Sequence, residues 1–325
     1  MPTVSIVIAT RNRPQKLERL LKCIQQQEFT DYECIVVDDA SPAEVQAQYA
    51  SMWDGLDSRF TLHRREYPGG PAQGRNTGIR AASGTYIAFC DDDDYWTRTD
   101  HLAVAVGALD SEHADFFFAN MQTSIDGVIA NPDWFSALTK IIHHPIASGD
   151  DIYTIKRDQL AEFLKHRIHH ANTMVVSRAL LNRIDAYWEK VSFAEDHDLS
   201  FRISDAASRV LFRRTVTADL DVSYHPSVAR TFSEQDRLLF GMLAALHAEA
   251  NINSPLLRKV ARGNRAWRLI ELAQYAEKNG QKTAAVEFVW QSLLLAPSST
   301  ALRMLLGSIW QRITSRSASQ QKQSS

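Results

Sequence analysis

No stretch of this chain approaches the roughly 20 uninterrupted apolar residues that a membrane span requires, so no spanning helix is expected. The apolar run near the start, within MPTVSIVIATRNRP, has no basic region before it and no small-residue cleavage site after it, so a secretory leader is not expected either. Cysteine is scarce. Cys23, Cys34 and Cys90 are odd in number and widely spaced, which favours free thiols over disulfides or a zinc site, and hence a reducing, cytoplasmic compartment. No G-x-G-x-x-G follows the first apolar run, so a dinucleotide cofactor is disfavoured.

What the chain does hold is enough apolar surface for a large core: 45% of 325 residues are hydrophobic, room for one domain of about 200 to 250 residues and an appendage. The net charge of −2 conceals an asymmetry. Residues 251–325 carry 11 Lys and Arg against 3 Asp and Glu, a balance of +8, which leaves 25 against 35, or −10, for residues 1–250. An acidic body with a basic tail points to an anionic surface as the tail's partner.

The most informative stretch is YIAFCDDDDYW, residues 86–96, where a buried-strand pattern runs straight into four carboxylates. Adjacent like charges repel unless a cation gathers them. In open α/β sheets ligands bind beyond the carboxyl ends of the strands, and hard cations such as Mg2+ or Mn2+ take oxygen ligands together with phosphates. The run therefore predicts a divalent metal holding a phosphorylated ligand.

Short apolar runs at residues 4–9, 34–37, 60–63 and 86–90 alternate with helical spacings, the sign of βαβ units and a mostly parallel sheet. Thr10 or Asn12 is placed to cap a first helix with Pro14 in its first turn, and Ser41-Pro42 to open a second. Later strands are expected at 115–119, 173–176 and 210–212, a helix at 196–204, and loops or a hairpin over 122–149. From Ser233 to about residue 315 the pattern is nearly all helical, with a capping box at Ser233 and a stop at Asn279-Gly280. Residues 265–296 are similar to a single tetratricopeptide-type hairpin.

In order, VSIVIATRNRP, VVDDAS, GRNTGI, GTYIAFCDDDDYW and FAEDHDLSFR resemble the motifs of the family 2 glycosyltransferases over roughly residues 3–232. The resemblance implies a GT-A fold: an α/β, mostly parallel sheet flanked by helices, with a Rossmann-like nucleotide-binding half at about 1–95 and an acceptor half at about 96–232. An all-helical region at 233–316 and a disordered tail at 317–325 would follow. It implies a metal-dependent, inverting transfer from a nucleotide sugar, a UDP-sugar for choice, to a hydroxyl of a surface glycan or glycolipid.

Its residue roles carry over motif by motif. Asp39 would accept the uracil N–H, and Thr10 and Arg11 would hold base or ribose. Arg75 and Asn76 would meet the donor's phosphates or sugar. In the D-x-D-D signature the metal falls to Asp93, Asp91 contacts ribose or metal, and Asp92 and Asp94 complete the donor site. Alternate residues on a strand point to opposite faces, so Asp91 and Asp93 would both face the ligand while Asp92 turned away. Glu195 and Asp196 match the acidic pair that supplies the base, with Asp196 taking the acceptor's proton. His225, in SYHPSVARTFS beside Arg230, would be a further metal ligand. The cofactor is Mn2+ or Mg2+, the partners are a nucleotide sugar and a glycan or lipid-linked acceptor, and no nucleic acid is expected.

Each of these residues also has a plainer reading. Asp38 suits a turn, Glu195 and Asp196 suit a helix's first turn, and Arg75 and Asn76 suit an ordinary helix start. His166, His169 and His170 lack a fourth metal partner at recognisable spacing and suit an acceptor rim with Asn172. Trp134 and Phe135 suit either a sugar platform or the core. In the tail, Leu302, Leu305, Leu306, Ile309, Trp310 and Ile313 line one helical face, followed by Arg312 and Arg316. That face would pack on its own domain or attach to an anionic membrane, and an oligomer remains open. Two rival classes stay on the table. A nucleotidyltransferase would need a glycine-rich, Lys-bearing first loop where TRNRP stands, and a silent sugar-nucleotide sensor or scaffold has no need of a base.

Overall fold

The structure is a computed structural model that describes residues 1–142, 145–146, 151–165, 169–223 and 231–307. It divides into two compact units, Met1–Thr231 and Phe232–Ser325.

The first unit is built on one twisted sheet. β1 (Val4–Thr10) lies between β2 (Tyr32–Asp38) and β4 (Tyr86–Phe89), with β3 (Phe60–Arg64) beyond β2, all four parallel. Their crossovers are α1 (Pro14–Gln25), α2 (Ala43–Trp53) and α3 (Gly70–Ala81). β1 is apolar along its length because both faces are covered, and Val4, Ile6 and Ile8 are fully buried. Leu17, Leu20, Leu21 and Ile24 form the buried stripe of α1, as their spacing predicts.

Two helix starts differ from expectation. α1 is entered from Arg13 with no side-chain cap, Asn12 takes a left-handed backbone (φ 57°), and Thr10 gives its hydroxyl to Asp92. Ser41 likewise gives its hydroxyl to Asp38, 2.5 Å away, and Pro42 stands at the cap of α2. Hydroxyls suited to capping are drawn instead to carboxylates at the strand tips, where a charged acceptor binds more strongly than a helix amide.

After β4 come β5 (Tyr95–Trp96), α4 (His101–Ser111) and a hairpin of β6 (Phe116–Ile125) and β7 (Val128–Asn131), turned by Asp126 and Gly127, both at positive φ. Then follow α5 (Ser136–Thr139), β8 (Ile152–Ile155), α6 (Arg157–Leu164), β9 (Val175–Ser177), α7 (Arg178–Arg183), α8 (Glu195–Ala206) and β10 (Val210–Asp221). The sheet runs β3-β2-β1-β4-β9-β6-β10-β5, with β7 on β6 and β8 on β10. β9 is antiparallel to β4 and β6, and β6 and β10 are parallel, so the second half is mixed.

Phe135 and His169 belong to the core of this half, not to a ligand rim. His169 sits among Phe116, Phe118 and Phe163 with Nδ1 2.7 Å from the Ser200 hydroxyl, and burial pushes its pKa down to about 3. Phe135 is fully buried against Phe118, Phe163 and Phe212, and Trp134 packs half-buried on the core.

The second unit is helical: α9 (Glu234–Ala250), α10 (Pro255–Lys278), α11 (Lys282–Leu295) and a further helix at 299–307. Ser233 and Ser254 cap the first two, and Gly280 closes α10 at φ 74°. Ile270, Ala273, Val289 and Ala301 form its small core.

Candidate active site

The carboxyl ends of β1, β2 and β4 present Thr10, the pair Asp38-Asp39, and the four acids after Cys90. β4 stops at Phe89, and the acids lie in a turn closed by the Asp94 amide on the Asp91 carbonyl at 3.1 Å. A turn brings residues i and i+3 together where a strand would have aligned i and i+2. Asp91 and Asp94 consequently converge, and with His170 they offer ligand atoms within 4.8 Å of one another. Asn172 fixes this turn from below. Its Oδ1 accepts the Asp91 amide at 2.9 Å, its Nδ2 donates to the Asp94 carboxylate, and its own carbonyl accepts the Trp96 indole at 2.7 Å. The Asp221 amide holds the other Asp94 oxygen at 2.9 Å.

The remaining two acids turn to α1. Arg13 Nη1 reaches Asp92 at 2.7 Å and Asp93 at 2.8 Å, and the Thr10 hydroxyl donates to Asp92 at 2.7 Å. Arg19 adds a hydrogen bond to the Asp93 carbonyl, 2.8 Å away.

α3 brings the third cation. Gly74 and Gly78 lie against β1 so closely that a Cβ at Gly78 would fall 2.5 Å from Val7 Cγ1, and one at Gly74 would fall 2.9 Å from the Ala9 Cβ. This approach seats Arg75 in the interior, 7% exposed, where it donates to Asp91 at 2.5 Å and to Glu195 at 2.8 Å. Its guanidinium lies 5.2 Å from the centre of the Tyr187 ring. Glu195 and Asp196 open α8 directly after Ala194, which holds a left-handed backbone at φ 65°. Asp196 accepts its neighbour His197's amide at 2.8 Å and, unlike Glu195, forms no ion pair with a described residue.

The charge balance of the cluster is poor. Burial pushes Asp92 up to about 6, against the pull of Arg13 and with Asp93 adding to it. Burial also raises Asp94 well above the usual carboxylate range, reinforced by Asp93 and Asp91. Glu195 is raised by burial despite Arg75, with Asp196 contributing. For Asp91 burial is outweighed by Arg75 and His170, which hold it below its ordinary value. Two carboxylates and an imidazole, Asp94 buried and Asp91 and His170 partly so, suit a divalent cation of the Mg2+ or Mn2+ kind.

The glycosyl transferase family 2 profile matches residues 5–183, more than half of the chain. The chain belongs to that family. Among curated relatives, a Campylobacter jejuni GalNAc(5)-diNAcBac-PP-undecaprenol beta-1,3-glucosyltransferase is 36% identical over 29% of this chain and 30% of its own length. An Escherichia coli UDP-Glc:alpha-D-GlcNAc-diphosphoundecaprenol beta-1,3-glucosyltransferase, WfaP, is 31% identical over 40% of this chain and 50% of its own. The chain thus spans half or less of these two relatives. Of solved structures, Staphylococcus aureus TarS 1-349 in complex with UDP-GlcNAc superposes with TM-score 0.65 at 18% identity, over 91% of this chain and 82% of that one. The mannosyltransferase PcManGT from Pyrobaculum calidifontis, in complex with GDP-Man and Mn2+, gives 0.61 at 18% over 96% and 81%. At such identity the likeness is one of fold.

Within this family 2 domain the residues singled out from sequence fall into two groups. Arg13 joins Asp92 and Asp93, with Thr10 on Asp92, while Arg75 joins Asp91 to Glu195 and Asn172 joins Asp91 to Asp94. Asp39 stands apart, accepting the Gly69 and Gly70 amides at 2.9 and 2.8 Å and forming an ion pair with Arg65, whose Nε lies 3.0 Å away. Asn76 is spent on the 187–189 segment, bonding the Tyr187 amide and carbonyl and Glu189. Arg11 is exposed, and His225, Arg230 and His166 lie outside the described residues. Arg13 was missed, although a cation in the loop after the first strand was the available signal. Sequence distance hides the approach of His170 to Asp91 and Asp94.

Proposed function

We propose that the chain is a metal-dependent, inverting glycosyltransferase that moves a sugar from a UDP-sugar to a hydroxyl of a lipid-diphosphate-linked glycan in surface polysaccharide synthesis. The observation that carries this reading is the buried Arg75 bridge. It ties Asp91, in the cluster suited to a cation, to Glu195, at the head of the helix bearing Asp196. Donor phosphate and acceptor hydroxyl would thus meet on either side of one guanidinium. UDP-sugar use is supported by the likeness to WfaP, a UDP-Glc transferase, and to TarS in complex with UDP-GlcNAc, and the lipid-diphosphate acceptor by the diphosphoundecaprenol acceptors of both glucosyltransferase relatives.

In this reading Asp91, Asp94 and His170 would hold Mn2+ or Mg2+, which when bound would neutralise charge developing on the leaving diphosphate. Asp39 orders the Gly69-Gly70 turn beneath the base and meets the uracil imide with its remaining acceptor capacity. Arg13 keeps Asp92 and Asp93 from repelling the donor. Asp196 accepts the proton of the attacking hydroxyl, and attack opposite the leaving group inverts the anomeric centre without a covalent intermediate.

A peripheral position on an anionic membrane belongs to the same proposal. No described helix is long and apolar enough to cross a membrane, while the second unit exposes Trp267, Trp290, Leu294, Leu302 and Leu306 within the basic part of the chain. The decisive experiment supplies Mn2+ and a panel of nucleotide sugars, with and without lipid-diphosphate sugars, and follows nucleoside diphosphate release. Wild type is expected to turn over. Asp196→Asn is expected to bind donor normally and lose about 100-fold or more in kcat, the scale of a general base. Donor binding by the wild type with no transfer to any acceptor would favour the silent sensor instead.

A further inference from the structure

One residue touches every member of the cation cluster. Asn172 lies in a single 3-10 turn, Ala171–Thr173, just before β9, and is fully buried. Its Oδ1 accepts the Asp91 amide at 2.9 Å, its Nδ2 donates to the Asp94 carboxylate, and its own amide donates to His170 Nδ1 at 3.5 Å. The Trp96 indole donates to its carbonyl at 2.7 Å, which anchors the residue to the chain just beyond the acids. The two ends of one planar amide thus meet opposite needs, since a backbone N–H can only donate and an ionised carboxylate can only accept. No other side chain of this size answers both. Aspartate would set a third carboxylate against Asp94, and alanine would leave the Asp91 N–H and one Asp94 oxygen short of a partner. The Asp221 amide holds the other Asp94 oxygen at 2.9 Å, so that carboxylate is fixed from both sides.

We propose that Asn172 is the positioning residue of the cation site: it holds Asp91, Asp94 and His170 at the spacing a small divalent ion requires, and so makes the site prefer Mg2+ or Mn2+ to Ca2+. This rests on the cation site proposed above and adds what sets its selectivity. The ligand atoms there lie within 4.8 Å of one another. Mg2+ takes oxygens at about 2.0–2.1 Å in near-ideal octahedral order, whereas Ca2+ accepts about 2.3–2.6 Å and irregular geometry, so a rigid site discriminates between them. Left to itself the acidic turn is not rigid. Its own hydrogen bond, from the Asp94 amide to the Asp91 carbonyl at 3.1 Å, works against the repulsion of four adjacent acids. Asn172 adds a bond at each end of that turn, and its contact with His170 ties the imidazole to the same frame.

The test titrates the full chain, as wild type, Asn172→Ala and Asn172→Asp, with Mn2+ alone and with UDP present. Free Mn2+ is read by its electron paramagnetic resonance signal, and Mg2+ and Ca2+ are ranked by the Mn2+ they displace. No turnover is needed. The Mg2+-to-Ca2+ affinity ratio within one preparation does not depend on the fraction folded, so a purely structural role would not move it. Wild type is expected to favour Mg2+ by about tenfold and both variants by less than about threefold, while Asn172→Ala weakens Mn2+ binding about 10–100-fold. Asn172→Asp keeps the size and the acceptor for the Asp91 amide, and it carries the test if the alanine variant does not fold. A ratio that is the same in wild type and variants overturns the proposal, whether or not Mn2+ binding weakens, and leaves the transferase reading standing. Wild type that binds no Mn2+, with or without UDP, removes the cation site itself and this proposal with it.

Discussion

Arg75 joins two carboxylates that arrive from distant parts of the chain, and all three groups are largely withdrawn from water. Removing the cation leaves the buried Glu195 without its ion-pair partner and Asp91 with His170 as the nearby cation, a situation in which a broken ion pair is costly. Arg75→Ala is expected to lose about 3–5 kcal/mol of stability together with transfer activity. Arg75→Lys keeps the charge but has one ammonium where the guanidinium uses Nη1 and Nη2, so it should recover part of the stability and little of the activity. Denaturant unfolding and nucleoside diphosphate release on the same preparations separate the two effects. A second residue-scale prediction concerns His101, buried between Trp96 and Phe117 with neither ring nitrogen hydrogen-bonded to a described residue. Burial, aided by Arg213, pushes its pKa down to about 3 from 6.5. Between those values the unfolded chain binds a proton that the folded protein refuses, so stability rises with pH across this window, by up to about 1.4 kcal/mol per pH unit. His101→Phe should flatten the acid side of a stability-against-pH curve measured by denaturant, and an unchanged slope would count against this origin. The acids themselves were legible in the sequence because four in a row after a strand have few uses. Their partners were not, because a carboxylate's direction depends on whether the backbone continues as a strand or turns at Asp91.

Elements were easier to read than contacts. The strands at β1 to β4 and their helices announce themselves by apolar runs and by spacing. Hairpin and mixed strands after Trp96 do not, because β9 is three residues long and β10 gains its length through pairing with β6, β8 and β5. GRNTGI was legible as a motif, yet its two glycines act through packing. They let α3 lie on β1 and thereby set the depth of Arg75. Gly78→Ala is expected to cost about 1–3 kcal/mol as the helix lifts from Val7, and to weaken donor use through Arg75. Val7→Ala opens the space that the new methyl group needs. The Gly78→Ala/Val7→Ala pair should therefore be more stable than the two single effects added together, a coupling that a double-mutant cycle in denaturant reads directly. Additive losses would place the cause of the Gly78 effect elsewhere than at this contact.

For the whole molecule the open question is what the second unit does. The charge asymmetry between the body and the tail was plain from composition, but composition does not say which apolar residues stay outside. In the structure Trp290 and Leu294 follow one another on the outer side of α11, and Leu302 and Leu306 do so on the helix at 299–307, all at least half exposed. Arg303 stands next to Leu302, and residues 251–325 carry the +8 balance given by 11 cations and 3 acids. A cation near an anionic bilayer contributes about 1 kcal/mol, and salt screens it beyond a Debye length of roughly 10 Å at 0.1 M. Sedimentation with vesicles containing phosphatidylglycerol should therefore carry the full chain down, less so as salt is raised, and neutral phosphatidylcholine vesicles should carry little. Removing residues 298–325 deletes Leu302, Leu306 and four of the cations, Arg303, Arg312, Arg316 and Lys322, and is expected to weaken binding to the anionic vesicles more than tenfold. Equal binding to neutral and anionic vesicles, or no loss on truncation, would assign these helices to a protein contact and leave the catalytic domain to find its acceptor without them.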